Sequence, residues 1–171
     1  TLWVTWQLEG GAAAVNEAGR MRMQTWRLAS AVQTSLSPAA LDSLVTQFDY
    51  SLKLLRAGDP SRPLFVPWDD DVDVKFAEVD RIWAQRRGHW LAAAPMSATE
   101  SVMAAEEFVT AIDALVLSIE QQLSRLTAIL NLFQFVMMAL AIGGAVVMLY
   151  TGYRYVINPL GLVRDGLQRV E

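Results

Sequence analysis

The 171 residues are 53% hydrophobic and carry a formal net charge of −4, so nothing in them suggests a nucleic-acid partner. Cysteine is absent and His89 is the single histidine, which excludes disulfides and thiol catalysis and disfavours a histidine-based metal site or catalytic triad. We therefore assign no catalytic residue, no metal ligand and no cofactor, and an enzyme is the least favoured class for this chain.

The first predicted helix runs from the N-terminus to about Leu36. Trp3 and Trp6 precede Glu9, an order typical of a membrane-spanning helix where it emerges into water. We expect residues 1–8 to be the outer end of a first transmembrane helix. The start of a helix in a soluble protein is the alternative.

A heptad repeat over this helix predicts a seam for packing against another helix. One position of the repeat holds Ala12, Gly19, Trp26 and Gln33, and the complementary position holds Val15, Arg22, Ala29 and Leu36. Arg22 thus falls in a seam that is mostly small or apolar. Arg20 and Arg27, seven residues apart, share a different and more solvated face.

An arginine in a helix seam needs a partner, because its desolvation is costly. No acidic residue lies three or four positions from Arg22. If the seam joins two identical chains, symmetry brings the two Arg22 side chains together, and a small anion between them relieves the repulsion. Gly19, one turn away, lets backbone and ligand come close. Two alternatives remain open: Arg22 reaches out to solvent, or it pairs with an acid on another helix.

Turn and capping residues separate three further helices. Ser37-Pro38 opens the second, which ends at Ala57 before Gly58-Asp59-Pro60. A proline-rich loop then precedes a third helix over Val72–Ala94. The acidic run at 69–73 lacks the glycine and the terminal glutamate of a calcium-binding loop, so we expect it to cap the third helix.

The fourth helix begins near Ala98, after a capping box formed by Ser97 and Glu100, and runs into an uncharged stretch from Leu126 to Tyr153. About 20 apolar residues cross a membrane, so we expect a second transmembrane helix over 131–157, with a buried core helix as the alternative. Three arginines follow this stretch and acidic residues precede it; the arginines are Arg154, Arg164 and Arg169. This charge pattern places residues 158–171 in the cytoplasm and residues 9–130 outside it.

These elements predict an all-α fold, an antiparallel four-helix bundle over 9–130 that is continuous with transmembrane helices. The transmembrane helices also predict contact with membrane lipid.

The stretch AAAVNEAGRMRMQTWRLA, Ala12 to Ala29, resembles the P-box of bacterial nitrate/nitrite sensor histidine kinases. A second stretch, 106–121, resembles the segment before the second span of that family, and 62–64 with 67–69 resemble its middle loop. Asn158-Pro159-Leu160 looks like the entry to a HAMP linker, so 158–171 would be its start. Related domains also occur in chemoreceptors of the type IV pilus class. The residues that match in the first stretch are Asn16, Ala18, Gly19, Arg22, Met23, Gln24, Arg27 and Leu28.

The resemblance implies a homodimeric sensor in the bacterial inner membrane, with a periplasmic bundle that binds nitrate across the dimer axis. It assigns Gly19 and Arg22 of each subunit to the anion and gives Met23 and Arg27 supporting roles. Arg27 and Gln24 are expected to support the bundle and not to touch the ligand. A response regulator would be reached only through a kinase domain outside this chain, and signalling would proceed by helix displacement.

Two departures from the family pattern bear on the ligand. Glu17 replaces a common lysine and Arg20 a common serine, and we expect the two charges to offset one another. Selectivity between nitrate and nitrite stays open. The alternative functions are the ligand-binding module of a chemoreceptor with the same fold and a structural bundle without a ligand.

Overall fold

The computed structural model describes residues 2–34, 37–61, 63–91 and 97–157. In these ranges the chain forms four α-helices and no β-strand. The helices are α1 (Leu2–Gln33), α2 (Pro38–Ala57), α3 (Asp70–Trp90) and α4 (Ala98–Gly152), and a π-helical turn at Tyr153–Ile157 follows the last. The prediction of an all-α four-helix bundle is confirmed.

Both ends of α2 follow from local chemistry. Pro38 occupies the first turn, where no N–H is needed, and the Ser37 side chain accepts a hydrogen bond from the N–H of Ala40. At the other end Gly58 has a φ of 72°, which a residue without a Cβ adopts at little cost, and its N–H donates to the Leu54 carbonyl. The predicted bounds of α2 are confirmed.

The acidic run opens α3, as expected, but two residues earlier than the sequence predicted. The Asp69 carboxylate accepts the N–H of Val72 at 2.8 Å, so α3 begins at Asp70. The other acids of the run, Asp71 and Asp73, lie with Asp70 in the first turn, where negative charge stabilises the helix N-terminus. Capping of α3 therefore accounts for the run.

A reciprocal capping box opens α4. The N–H and hydroxyl of Ser97 donate to the Glu100 carboxylate at 2.9 and 2.8 Å, and the Glu100 N–H donates back to the Ser97 hydroxyl at 3.2 Å. The backbone and then the side-chain hydrogen bond from Ser97 lower the pKa of Glu100. The preceding helix ends at Trp90. The predicted end of that helix, Ala94, lies outside the described residues.

Helices α2, α3 and α4 contribute aromatic side chains to the core, whereas α1 contributes mainly small ones. The rings of Phe48 on α2 and Trp83 on α3 stack with centroids 4.2 Å apart, and Phe108 on α4 lies 5.1 Å from Phe48. Helix α1 contributes mostly slimmer side chains such as Ala14 and Ala18 to the same cluster. Because these residues are short, α1 packs close to the bundle without adding bulk.

A polar contact at the surface joins α2 to α3. Arg87 donates to both carboxylate oxygens of Asp49, at 2.8 Å for its Nη2, and the indole N–H of Trp83 donates to Asp49 at 2.7 Å. Partial burial alone would raise the pKa of Asp49, but these hydrogen bonds and the charge of Arg87 outweigh it, so that pKa is lowered.

Two glycines let other parts of the chain approach α1 closely. A Cβ at Gly10 would overlap the ring of Phe65, whose N–H donates to the Gly10 carbonyl at 3.4 Å. A Cβ at Gly11 would overlap the side chain of Leu123 on α4. Side chains at these two positions are therefore excluded by packing.

The chain divides into two compact units, residues 1–125 and 126–171. In the second unit the α4 side chains from 131 to 150 are all exposed and include no charged residue. By length and composition α4 is able to cross a membrane. The transmembrane assignments of 1–8 and 131–157 stay predictions, and the expected linker at 158–171 lies outside the described residues.

Candidate anion-binding surface on the first helix

Helix α1 presents a solvent-facing row of residues spaced alternately four and three apart, which we call the α1 stripe. Its two large apolar members, Met23 and Trp26, are 52% and 43% exposed. Alternating steps of four and three give the 3.5-residue repeat of a coiled-coil seam. The full stripe is Ala12, Asn16, Gly19, Met23, Trp26, Ser30 and Gln33.

The stripe agrees with only half of the predicted seam. The position that holds Gly19 and Trp26 is solvent-facing, but Val15 and Ala29 of the complementary position pack in the core of this chain. The seam therefore shifts by one residue around α1, to the position that holds Met23. Arg22 flanks the stripe instead of lying within it.

The structure gives Arg22 a carboxylate partner on another helix. Its Nη1 donates to Oδ1 of Asp113 on α4 at 2.7 Å, and the two side chains are 47% and 48% exposed. One of the two alternatives that the sequence left open is therefore observed. Asp113 is 91 residues away, so local spacing gave no signal for it, although it falls in the second stretch of resemblance, 106–121.

The Arg22 guanidinium also lies over Gly19. Its Nη2 is 4.0 Å from the point where a Cβ on Gly19 would stand, which is ordinary van der Waals distance. The guanidinium therefore lies next to the backbone of Gly19, which carries no side chain, at the edge of the α1 stripe. A planar anion seated there would meet a charged donor on one side and no side chain on the other.

A sequence model described as the type IV pili methyl-accepting chemotaxis transducer N-terminal domain, PilJ, matches residues 3–108. The chain belongs to the PilJ family. The match covers α1, α2, α3 and the beginning of α4, including the whole α1 stripe. No curated protein matches the chain significantly.

Membership of the PilJ family makes this chain a sensory module of the chemoreceptor type. This finding favours the chemoreceptor, which the sequence resemblance gives only as the alternative to a histidine kinase. The apolar α4 agrees with a membrane receptor. Neither nitrate nor a kinase output follows from the family.

Next to the stripe, the PilJ domain buries a carboxylate between α1 and α2. Glu17 is 4% exposed, and its Oε1 accepts hydrogen bonds from Arg20 at 3.0 Å and from the Ser51 hydroxyl at 2.8 Å. Ser51 also lies 3.4 Å from the amide oxygen of Gln24. The predicted offset of the Glu17 and Arg20 charges is thus observed.

The residues with predicted supporting roles differ in position. Gln24 is buried against Ser51 and belongs to the interior of the bundle. Met23 and Arg27 are exposed, and both line a groove between α1 and α2. The supporting roles of Met23 and Arg27 stay predictions.

Proposed function

We propose that this chain is the sensing and membrane-spanning part of a type IV pili chemoreceptor that recognises a small planar anion, nitrate or nitrite. Two copies would share one anion between their α1 stripes, with Arg22 and Gly19 of each copy beside it. PilJ membership supports the chemoreceptor class. The single observation that carries the ligand proposal is the Arg22 guanidinium lying over the bare backbone of Gly19 at the edge of an exposed seam.

A homodimer through α1 is supported by the stripe itself. Met23 and Trp26 expose apolar surface in a 3.5-residue repeat. Apolar surface in such a repeat is typically buried by packing against another helix. A twofold axis along the stripe brings the two Arg22 side chains near one another. Each guanidinium has Asp113 as its counter-charge, and two that leave Asp113 and approach the axis would repel one another. A planar monovalent anion between them accepts hydrogen bonds from both.

The ion pair between Arg22 and Asp113 gives the dimer two states, one with the pair formed and one with Arg22 bound to the anion. The ion pair ties α1 to α4. An anion between the stripes competes with Asp113 for the same guanidinium, and its binding favours the state in which that tie is released. Because α4 runs without interruption from Ala98 to Gly152, a shift of α1 along α4 reaches the apolar segment. We place the bundle outside the cytoplasm and the C-terminus inside, as the charge pattern indicates.

Calorimetry with sodium nitrate tests the proposal on the full chain in detergent. Wild type, Arg22→Ala and Arg81→Ala are compared in a buffer without chloride or other small competing anions. Arg81 is a suitable control because it is also an exposed arginine paired with a carboxylate, that of Glu78 on α3. We expect one nitrate per two chains for wild type and Arg81→Ala, and no binding for Arg22→Ala. Wild type that binds no nitrate, or Arg22→Ala that binds it normally, contradicts the proposal.

A further inference from the structure

A groove runs between α1 and α2 on a different side of α1 from Arg22. It has a volume of about 450 Å³ and lies wholly within one chain. Positions 20 and 22 differ by about 200° around a helix, so Arg20 and Arg22 face different surroundings. The groove is lined by Arg20, Met23, Gln24, Arg27, Thr46, Gln47 and Tyr50.

We propose that this groove is a second ligand site, which binds a small organic carboxylate within a single protomer. The proposal goes beyond the shared anion at the α1 stripe, because it needs neither Arg22 nor a second copy. It rests on the charge of the groove, on the fixed position of one arginine and on the mixed polarity of the walls.

The charge of the groove is positive. Two arginines and no acidic residue are among the side chains that line it. The charge of Arg20 is compensated by an ion pair with Glu17, at 3.0 Å. In the described ranges, no hydrogen bond or ion pair engages the exposed Arg27. One positive charge with its full set of donors is therefore available to an anion.

Arg20, which lines the groove on α1, is held in position by the buried carboxylate of Glu17. Glu17 is almost completely buried, and its Oε1 accepts a hydrogen bond from Ser51 of α2 as well as from Arg20. This buried carboxylate fixes Arg20 against the wall, so Arg20 loses little conformational freedom when a ligand binds. The same contact joins the two helices that form the groove.

The walls suit a carboxylate with an apolar body better than a bare inorganic ion. Met23 on α1 and Tyr50 on α2 offer exposed apolar surface, 52% and 58% exposed, and Gln47 of α2 adds an amide to the lining. Sites for small organic ligands have volumes of about 300–1,000 Å³ and pair apolar walls with a few charged or polar groups. A ring or a branched chain would lie between Met23 and Tyr50, with its carboxylate on Arg27.

Benzoate is the probe for the test, and benzamide is its neutral counterpart of nearly equal shape. The full chain in detergent is titrated with each and followed by NMR of ¹³C-labelled methionine methyls. Met23 lines the groove and also belongs to the α1 stripe, so its methyl reports a ligand at either surface, and variants of Arg22 and Arg27 separate the two. Met103 on α4, 63% exposed, is the control. We expect saturable shifts of the Met23 methyl with benzoate, none with benzamide, and no change at Met103.

Variants then locate the charge that holds benzoate. We expect Arg27→Gln to weaken benzoate binding about tenfold or more, because it removes a charged donor, and Arg22→Gln to change it by less than about twofold. Arg27 is exposed, so its replacement leaves the core intact. Wild type that binds no benzoate, or binding that Arg27→Gln leaves unchanged, overturns the proposal. Binding lost in Arg22→Gln but kept in Arg27→Gln also overturns it and assigns benzoate to the α1 stripe.

Discussion

Replacement of Asp113 by asparagine separates the two partners that compete for Arg22. The wild-type carboxylate lies 2.7 Å from the Arg22 guanidinium, across the contact between α1 and α4. Asparagine keeps the size of the side chain and removes its charge. If the anion at the α1 stripe draws Arg22 away from Asp113, this variant weakens the competitor and leaves the rest of the site unchanged.

The size of the effect follows from the exposure of the pair. Both side chains are nearly half exposed, and ion pairs of this kind contribute about 0.2–1 kcal/mol. One nitrate separates two such pairs, one in each copy, so Asp113→Asn is expected to tighten nitrate binding by about 2- to 30-fold. The same variant is expected to lower the free energy of unfolding of each unliganded chain by about 0.2–1 kcal/mol. Both effects shrink as salt is added, because exposed charges are screened.

The assay is nitrate calorimetry on the full chain at fixed low ionic strength, with urea unfolding of the same samples. Glu107→Gln is the matched control, since Glu107 on α4 pairs with Arg86 at 2.6 Å and is similarly exposed. We expect that variant to lose a similar small stability and to keep wild-type nitrate affinity. Nitrate binding that is weaker in Asp113→Asn than in wild type would refute the competition, because Asp113 would then be holding Arg22 in its binding position.

Three further predictions concern glycines and acid stability. Gly19→Ala should stabilise the chain towards urea by about 0.5–1 kcal/mol, since an added Cβ would meet only the Arg22 guanidinium, at 4.0 Å. The same variant should weaken nitrate binding in calorimetry; unchanged affinity would show that the ligand does not approach Gly19. Gly10→Ala should lower the thermal midpoint despite its better helix propensity, because overlap with Phe65 costs about 1–3 kcal/mol; a midpoint at or above that of wild type would contradict the packing. The lowered pKa of Asp49 contributes stability above the unfolded value of about 3.9, which is lost as pH falls through the folded pKa. Urea unfolding from about pH 6 to about pH 3 should show less acid sensitivity in Asp49→Asn than in wild type, and equal sensitivity would exclude this contribution.

Most of the fold could be predicted from local chemistry. Ser37, Gly58 and the Ser97–Glu100 capping box each mark a helix end through contacts within three or four residues, and the structure shows those contacts. The sequence places the start of α3 two residues late, because it leaves the acids at 70 and 71 in the loop, whereas Asp69 is the cap. Local capping rules therefore predicted both ends of α2 and the start of α4. The first and third helices end at Gln33 and Trp90, earlier than the predicted Leu36 and Ala94.

The candidate site was less predictable, because it depends on packing between distant segments. The heptad placed Arg22 in a seam, but core packing of Val15 and Ala29 shifts the exposed stripe by one residue. The partner of Arg22 lies 91 residues away on α4. Periodicity reports which residues share a face of one helix, and it does not report which helix covers that face.

The structure of the full chain in complex with nitrate is the most direct test of the proposed sensing mechanism. We predict one nitrate on a twofold axis between two α1 stripes, in hydrogen-bond contact with Arg22 of both copies, and Arg22 separated from Asp113. Nitrate bound away from the α1 stripe, or Arg22 still hydrogen-bonded to Asp113 with nitrate present, would contradict it.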